Sequence, residues 1–159
     1  MPLDTKSLKS IAIIGPNADQ VQFGDYTWSR NNKDGVTPLQ GIKNRVNKNT
    51  AIHYAKGCSL TSLDTSGIAE AVEAAKNSEV AVIFGGSASA ALARDYKSST
   101  CGEGFDLNDL NLTGAQSQLI REVYRTGTPV ILVLVTGKPF VIEWEKNNLP
   151  AILVQWYAG

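Results

Sequence analysis

Five short apolar runs punctuate the chain, and most of what lies between them repeats with the period of a helix. Ser10–Ile14, Ala51–Tyr54, Val80–Phe84, Val130–Val135 and Ala151–Gln155 read as strands. The third, fourth and fifth are apolar at nearly every position, the pattern of strands covered on both faces. Leu39, Ile42 and Val46 fall at helical spacing behind Pro38, a first-turn proline. Ile68, Ala69, Val72 and Ala75 form a second stripe, with Thr65 and Ser66 as capping residues. Thr113 and Gln116 have the spacing of a capping box. Leu119, Ile120 and Val123 continue that helix, and Gly127 and Pro129 stop it. A fourth helix starts near Pro139 and carries Val141, Ile142 and Trp144.

Strict alternation of strand and helix predicts an α/β fold: a three-layer α/β/α sandwich on a mainly parallel sheet, in the flavodoxin-like strand order 2-1-3-4-5. Residues 1–159 read as one domain, with no internal repeat, low-complexity tract or linker. The chain stops on the exit of its fifth strand, which predicts a domain cut short before its last elements. Trp144 and Trp156 are assigned to the core by default, and His53 is a packed or edge residue.

Loop length adds a location. The link Thr136 to Lys138 is short, whereas Gly15 to Thr37 and Gly85 to Leu112 are long and follow the first and third strands. Those strands are neighbours in the predicted order, so both loops wall one crevice at the C-terminal edge of the sheet, where such folds bind ligands. Loops of this length are usually functional or disordered.

Composition removes several function classes. Fifteen basic and fifteen acidic side chains cancel, and no basic stripe marks a nucleic-acid surface. No apolar run reaches the ~20 residues of a membrane helix. Met1 to Ser10 is polar and is not a secretory signal, so an exported parent carries its signal elsewhere. Cys58, Cys101 and the single histidine, His53, provide neither metal-ligand spacing nor a Ser-His-Asp triad, and their count demands no disulfide. Neither a metal nor a cofactor is expected.

The loops carry the remaining chemistry. Gly15-Pro16-Asn17-Ala18-Asp19 has no phosphate-loop pattern, and it reads as a structural turn capped by Asn17 or Asp19. Phe23 to Arg30 packs three aromatics, one acid and one base together. Asp25, Trp28 and Arg30 suit a sugar ring, with its CH face and hydroxyl rim. The same aromatics also suit a loop that pins itself to this domain or to a partner domain. In the second loop Arg94 and Asp95 either orient a bound group or form an exposed ion pair worth ~0–1 kcal/mol. Glu103 lies between Gly102 and Gly104, where the backbone can approach a ligand closely. It is a candidate proton donor, against the alternative of a solvated loop acid. Asp106 and Asp109 read as turn or capping groups.

Eight stretches in sequence order then resemble one family. They are residues 11–19 (IAIIGPNAD), 23–26 (FGDY), 36–42 (VTPLQGI), 54–58 (YAKGC), 101–106 (CGEGFD), 110–114 (LNLTG), 129–139 (PVILVLVTGKP) and 156–159 (WYAG). Together they resemble the C-terminal α/β-sandwich domain of glycoside hydrolase family 3, which includes β-glucosidases and β-xylosidases. The resemblance implies an N-terminal (β/α)8 barrel in the same polypeptide that supplies an aspartate nucleophile, and an acid/base glutamate on a glycine-rich loop, matched here by Glu103. It implies retaining, exo-acting hydrolysis of oligosaccharides or aryl β-glycosides, no cofactor, and a periplasmic or secreted parent. It further implies a last strand and helix beyond Gly159, and a fragment that is catalytically silent without its barrel. Two other readings stand beside it. One is a non-catalytic module that packs on the barrel and shapes the cleft through Asp25, Trp28 and Arg30. The other is a free-standing nucleotide or cofactor binder, against which the missing phosphate loop counts.

Overall fold

The computed structural model describes residues 3–28, 34–89, 100–102 and 109–158. Its sheet contains β1 (Ser10–Ile14), β2 (Ala51–Ala55), β3 (Ala81–Gly86), β4 (Val130–Thr136) and β5 (Ala151–Trp156), in the order β2-β1-β3-β4-β5. Every pairing is parallel, with Ile13 opposite Val82, Val82 opposite Ile131 and Val133 opposite Leu153. The predicted strand order and class are therefore those observed.

The described helices are α1 (Pro38–Arg45), α2 (Ile68–Lys76), α3 (Gln116–Tyr124) and α4 (Glu143–Asn148). Alternate strand residues feed two cores. Ala12, Ile14, Ile83, Leu132 and Leu134 pack with Ile68 and Ala71 of α2, and with Leu119, Ile120 and Val123 of α3; Trp144 of α4 lies against the same cluster. Ile11, Ile13, Val82, Phe84, Val133 and Val135 pack on the other face with Leu39 and Ile42 of α1. Burying a leucine or isoleucine side chain contributes about 1.5–3 kcal/mol, so β1, β3 and β4, buried almost throughout, anchor the sheet.

Several local expectations are corrected. Among the described residues β5 is the outermost strand and is not covered on both faces: Leu153, Val154 and Trp156 are exposed. Trp156 is thus exposed rather than packed within the described residues, whereas Trp144 is partly buried, its ring edge-on to Tyr124 and beneath the Arg121 guanidinium. Thr37, not predicted as a cap, closes α1 by accepting the Gln40 N–H at 3.1 Å. Thr65 and Ser66 do not cap α2 with their side chains. Its N-cap is Gly67, where a Cβ would lie 2.7 Å from the Gly57 carbonyl oxygen. That close crossing admits only glycine. Ser66 instead gives its N–H and hydroxyl to the Asp64 carboxylate. Ala69 faces solvent, and Ala71 and Ala74 replace it on the buried stripe. Pro139, Val141 and Ile142 precede α4 rather than forming its first turn. His53 sits half-buried on the edge strand β2, and both cysteines are buried and unpaired.

Candidate active site

Both long loops leave the C-terminal edge of the sheet side by side, and the described residues show how their bases are closed. Gly15 ends β1 at φ 115°, with a hypothetical Cβ 2.3 Å from the Phe84 carbonyl oxygen. The turn after it lies directly on β3. Asn17 is wholly buried there, and its Nδ2 donates to the carbonyls of Gly85 and Ser87 at 3.2 Å each. Its Oδ1 accepts from Gln22 Nε2 at 2.9 Å. Asn17 thus rivets the first loop to β3 rather than capping its own turn. Asp19 joins the loop's two ends by accepting from the Thr37 hydroxyl at 2.8 Å.

At the end of β3 the chain outruns its neighbour, because β1 stops at Ile14, opposite Ile83. Gln116 replaces the missing strand. Its Oε1 accepts the Gly86 N–H at 2.8 Å, and its Nε2 donates to the Gly86 carbonyl at 3.0 Å and the Leu60 carbonyl at 3.2 Å. The predicted capping-box partner is therefore in the core. Thr113 gives its hydroxyl to Leu60 at 2.7 Å instead of capping α3.

The second loop is pinched at its root. Ala88 donates to Thr100 Oγ1 and accepts from the Thr100 N–H, both at 3.1 Å, and Ser89 and Cys101 form a parallel bridge. The chain that leaves at Ser89 is thus back beside it at Thr100. It leaves again at Gly102, φ 134°, toward Glu103, and at Leu110 the carbonyl accepts the Val141 N–H at 2.9 Å.

A single polar chain crosses this root. Lys138 O can only accept, so the Thr136 hydroxyl donates to it, at 2.7 Å. The Ser87 hydroxyl then donates to Thr136 Oγ1 at 3.2 Å. Tyr157 Oη is hydrogen-bonded to Ser87 Oγ at 2.7 Å and to Cys101 Sγ at 2.8 Å, and either atom of each pair can be the donor. Burial, and then the Cys101 contact, push the Tyr157 phenol well above its usual value, so it stays protonated. Beside this chain lies Lys138 Nζ, buried without a hydrogen-bond partner among the described residues and 4.8 Å from the Phe140 ring centre. Burial lowers its affinity for a proton.

The sequence-predicted residues divide clearly. Asp25 accepts from the Ser89 hydroxyl, a direct link between the two long loops. Trp28 is 98% exposed and Tyr26 83%, whereas Phe23 is half-buried and bridges to Ala158. Phe23 is thus the aromatic that pins the loop, and Trp28 is held outward. Arg30, Arg94 and Glu103 lie outside the described residues. A cavity of about 450 Å³ adjoins the first loop, between Phe23, Gly35, Thr37, Ile42, Phe84 and Gln155. Sequence reasoning missed Ser87, Cys101, Thr136, Lys138 and Tyr157 as one assembly, and Gln116 as the partner of Gly86. The available signal was polar residues placed directly after apolar strands.

Comparison with known proteins gives a consistent answer. The family model described as "Glycosyl hydrolase family 3 C-terminal domain" matches residues 1–159. A β-xylosidase of Formosa agariphila is 39% identical over 165 residues, covering 100% of this chain and 22% of that protein. A periplasmic β-glucosidase of Salmonella typhimurium is 34% identical over 184 residues, covering 99% of this chain and 23% of its own. A solved structure of a GH3 exo-β-xylosidase in complex with a xylobiose aziridine activity-based probe matches with a TM-score of 0.82 at 28% identity, over 99% of this chain and 19% of that one. The chain spans about a fifth of the length of these relatives.

Proposed function

The chain belongs to the glycosyl hydrolase family 3 C-terminal domain family, and from that premise we propose that it is the acid/base-supplying domain of a retaining, exo-acting β-glycosidase. The observation that carries this reading is the convergence of two loop bases at one crevice, with Asp25 of the first held against Ser89 of the second and Gly102, the residue before Glu103, at the same root. Trp28 of the first loop is exposed, and in this reading its ring lies against the CH face of a sugar. Arg30 and Arg94 are proposed as further substrate contacts.

In this proposal a barrel domain of the same polypeptide closes over the crevice and contributes an aspartate, the two carboxyl groups standing about 5–5.5 Å apart. The aspartate attacks the anomeric carbon while Glu103 protonates the departing oxygen. Glu103 then takes a proton from water as that water releases the glycosyl-enzyme. Cover by the barrel and the charge of the nucleophile both raise the affinity of Glu103 for its proton, as a donor near neutral pH requires. The isolated chain lacks both influences and is expected to be inactive. A parent enzyme exported from the cytoplasm accords with the periplasmic relative.

The test is Glu103→Ala in the full-length parent enzyme. Activity falls steeply on β-glucosides and β-xylosides with poor leaving groups and less on activated aryl glycosides, with partial rescue by azide. Unchanged turnover of poor leaving groups removes Glu103 from the mechanism. It would favour the module that shapes the cleft through Asp25 and Trp28, whose substitution would then raise KM while turnover at saturation holds.

A further inference from the structure

We propose that Tyr157 is a positioning residue for the acid-bearing loop, acting through the Cys101 thiol; this rests on the reading of Glu103 given above. Four separate segments meet on this one side chain. Its hydroxyl joins Ser87 at the end of β3 to Cys101 at the root of the second loop, at 2.7 and 2.8 Å. Its ring lies on Gly137 of the link after β4, where an added Cβ would come within 2.9 Å of Tyr157 Cε2. Its Cβ is 3.4 Å from the position a Cβ would take on Gly24 in the first loop.

Geometry and chemistry agree on the role. Cys101 is buried, and it is two residues from Glu103 in the sequence. Its backbone is tied on one side, by its N–H to Ala88 O at 3.3 Å. The thiol–phenol contact ties its side chain to the other. Tyr157 Oη lies within hydrogen-bond reach of both Ser87 Oγ and Cys101 Sγ, so one hydroxyl can donate to one neighbour and accept from the other. A phenol does both; a phenylalanine does neither, at almost the same volume. The group never approaches a reacting atom in this scheme. It sets where residue 102 starts, and displacements of about 1 Å at a reacting group can change rates on the order of a hundredfold.

The experiment compares Tyr157→Phe, Cys101→Ala and Cys101→Ser in the full-length parent enzyme, using a series of aryl β-glycosides of graded leaving-group pKa, with Glu103→Ala alongside. The expected result is a kcat loss of about ten- to a hundredfold on the poorest leaving groups that shrinks toward none on the most activated. KM should move less than about twofold, and the melting temperature should be nearly unchanged. Cys101→Ala should reproduce the pattern, Cys101→Ser should restore part of it by hydrogen-bonding the phenol again, and the double variant Tyr157→Phe/Cys101→Ala should be no worse than either single one. A uniform loss across leaving groups, or wild-type rates in both Tyr157→Phe and Cys101→Ala, overturns the proposal. If Tyr157→Phe fails to fold, the Cys101 pair decides alone. Should Glu103→Ala keep full activity on poor leaving groups, the acid/base reading itself falls. Should it lose that activity while the Tyr157 and Cys101 variants do not, only the positioning role falls.

Discussion

Gln116→Leu is the perturbation whose cost follows most directly from the structure. Gln116 is 1% exposed, and its amide serves both backbone groups of Gly86 where β1 has run out. Leucine has nearly the same volume, so packing changes little. The Gly86 N–H and carbonyl lose their partner in a place water does not reach, and an orphaned buried group costs roughly 1–3 kcal/mol. The Leu60 carbonyl keeps its bond from the Thr113 hydroxyl and adds little. With some return from the apolar side chain, the net loss is about 3 kcal/mol, or about 6–12 °C in melting temperature for a chain of this size. Urea denaturation followed by circular dichroism measures it. Gln118→Leu, exposed on the same helix, serves as control and should stay within about 0.5 kcal/mol of wild type. A Gln116→Leu value inside that same margin would show that Gly86 finds other partners, and the account of Gln116 as a substitute strand would be wrong.

Gly86→Ala should prevent stable folding or cost at least about 3 kcal/mol, since its Cβ would lie 2.2 Å from Val135 O at φ 114°; Gly127→Ala, with no atom within 4 Å of the new Cβ, should cost only about 1 kcal/mol, and equal costs would refute the clash. Lys138→Met should be neutral or stabilising, because it removes a buried ammonium without a hydrogen-bond partner among the described residues; a loss above about 2 kcal/mol would reveal a partner. Since burial makes the folded chain hold this proton less tightly than the unfolded one, wild-type stability relative to Lys138→Met should rise as the lysine deprotonates toward pH 10.5, its ordinary value; a flat or falling difference refutes the desolvation. Burial pushes the Cys58 thiol up to about 11, so at pH 8 about one part in a thousand is thiolate, and maleimide or iodoacetamide should label Cys58 only after denaturant is added; prompt labelling of the native chain would contradict its burial.

The sheet could be read from the sequence because its cause is local and repetitive. Runs such as Val130–Val135 and helical stripes such as Leu119, Ile120 and Val123 have one economical solution, alternating burial around a parallel sheet. The location of the crevice followed from loop length and strand order alone. The sequence also offered Glu103, Asp25 and Trp28 as chemistry, and the ordered stretches that resemble the family. It did not show that, among the described residues, Leu153, Val154 and Trp156 of β5 are exposed, because an apolar strand looks the same whether or not something covers it. Nor did it show the true partners of Gln116, Asn17, Ser87 and Tyr157. Their hydrogen bonds join residues 30 to 70 positions apart, and no local pattern encodes a distance of that kind. Only the folded chain brings the ends of β3, β4 and β5 to one point, and there a tyrosine hydroxyl between Ser87 and Cys101 becomes the link between the loops.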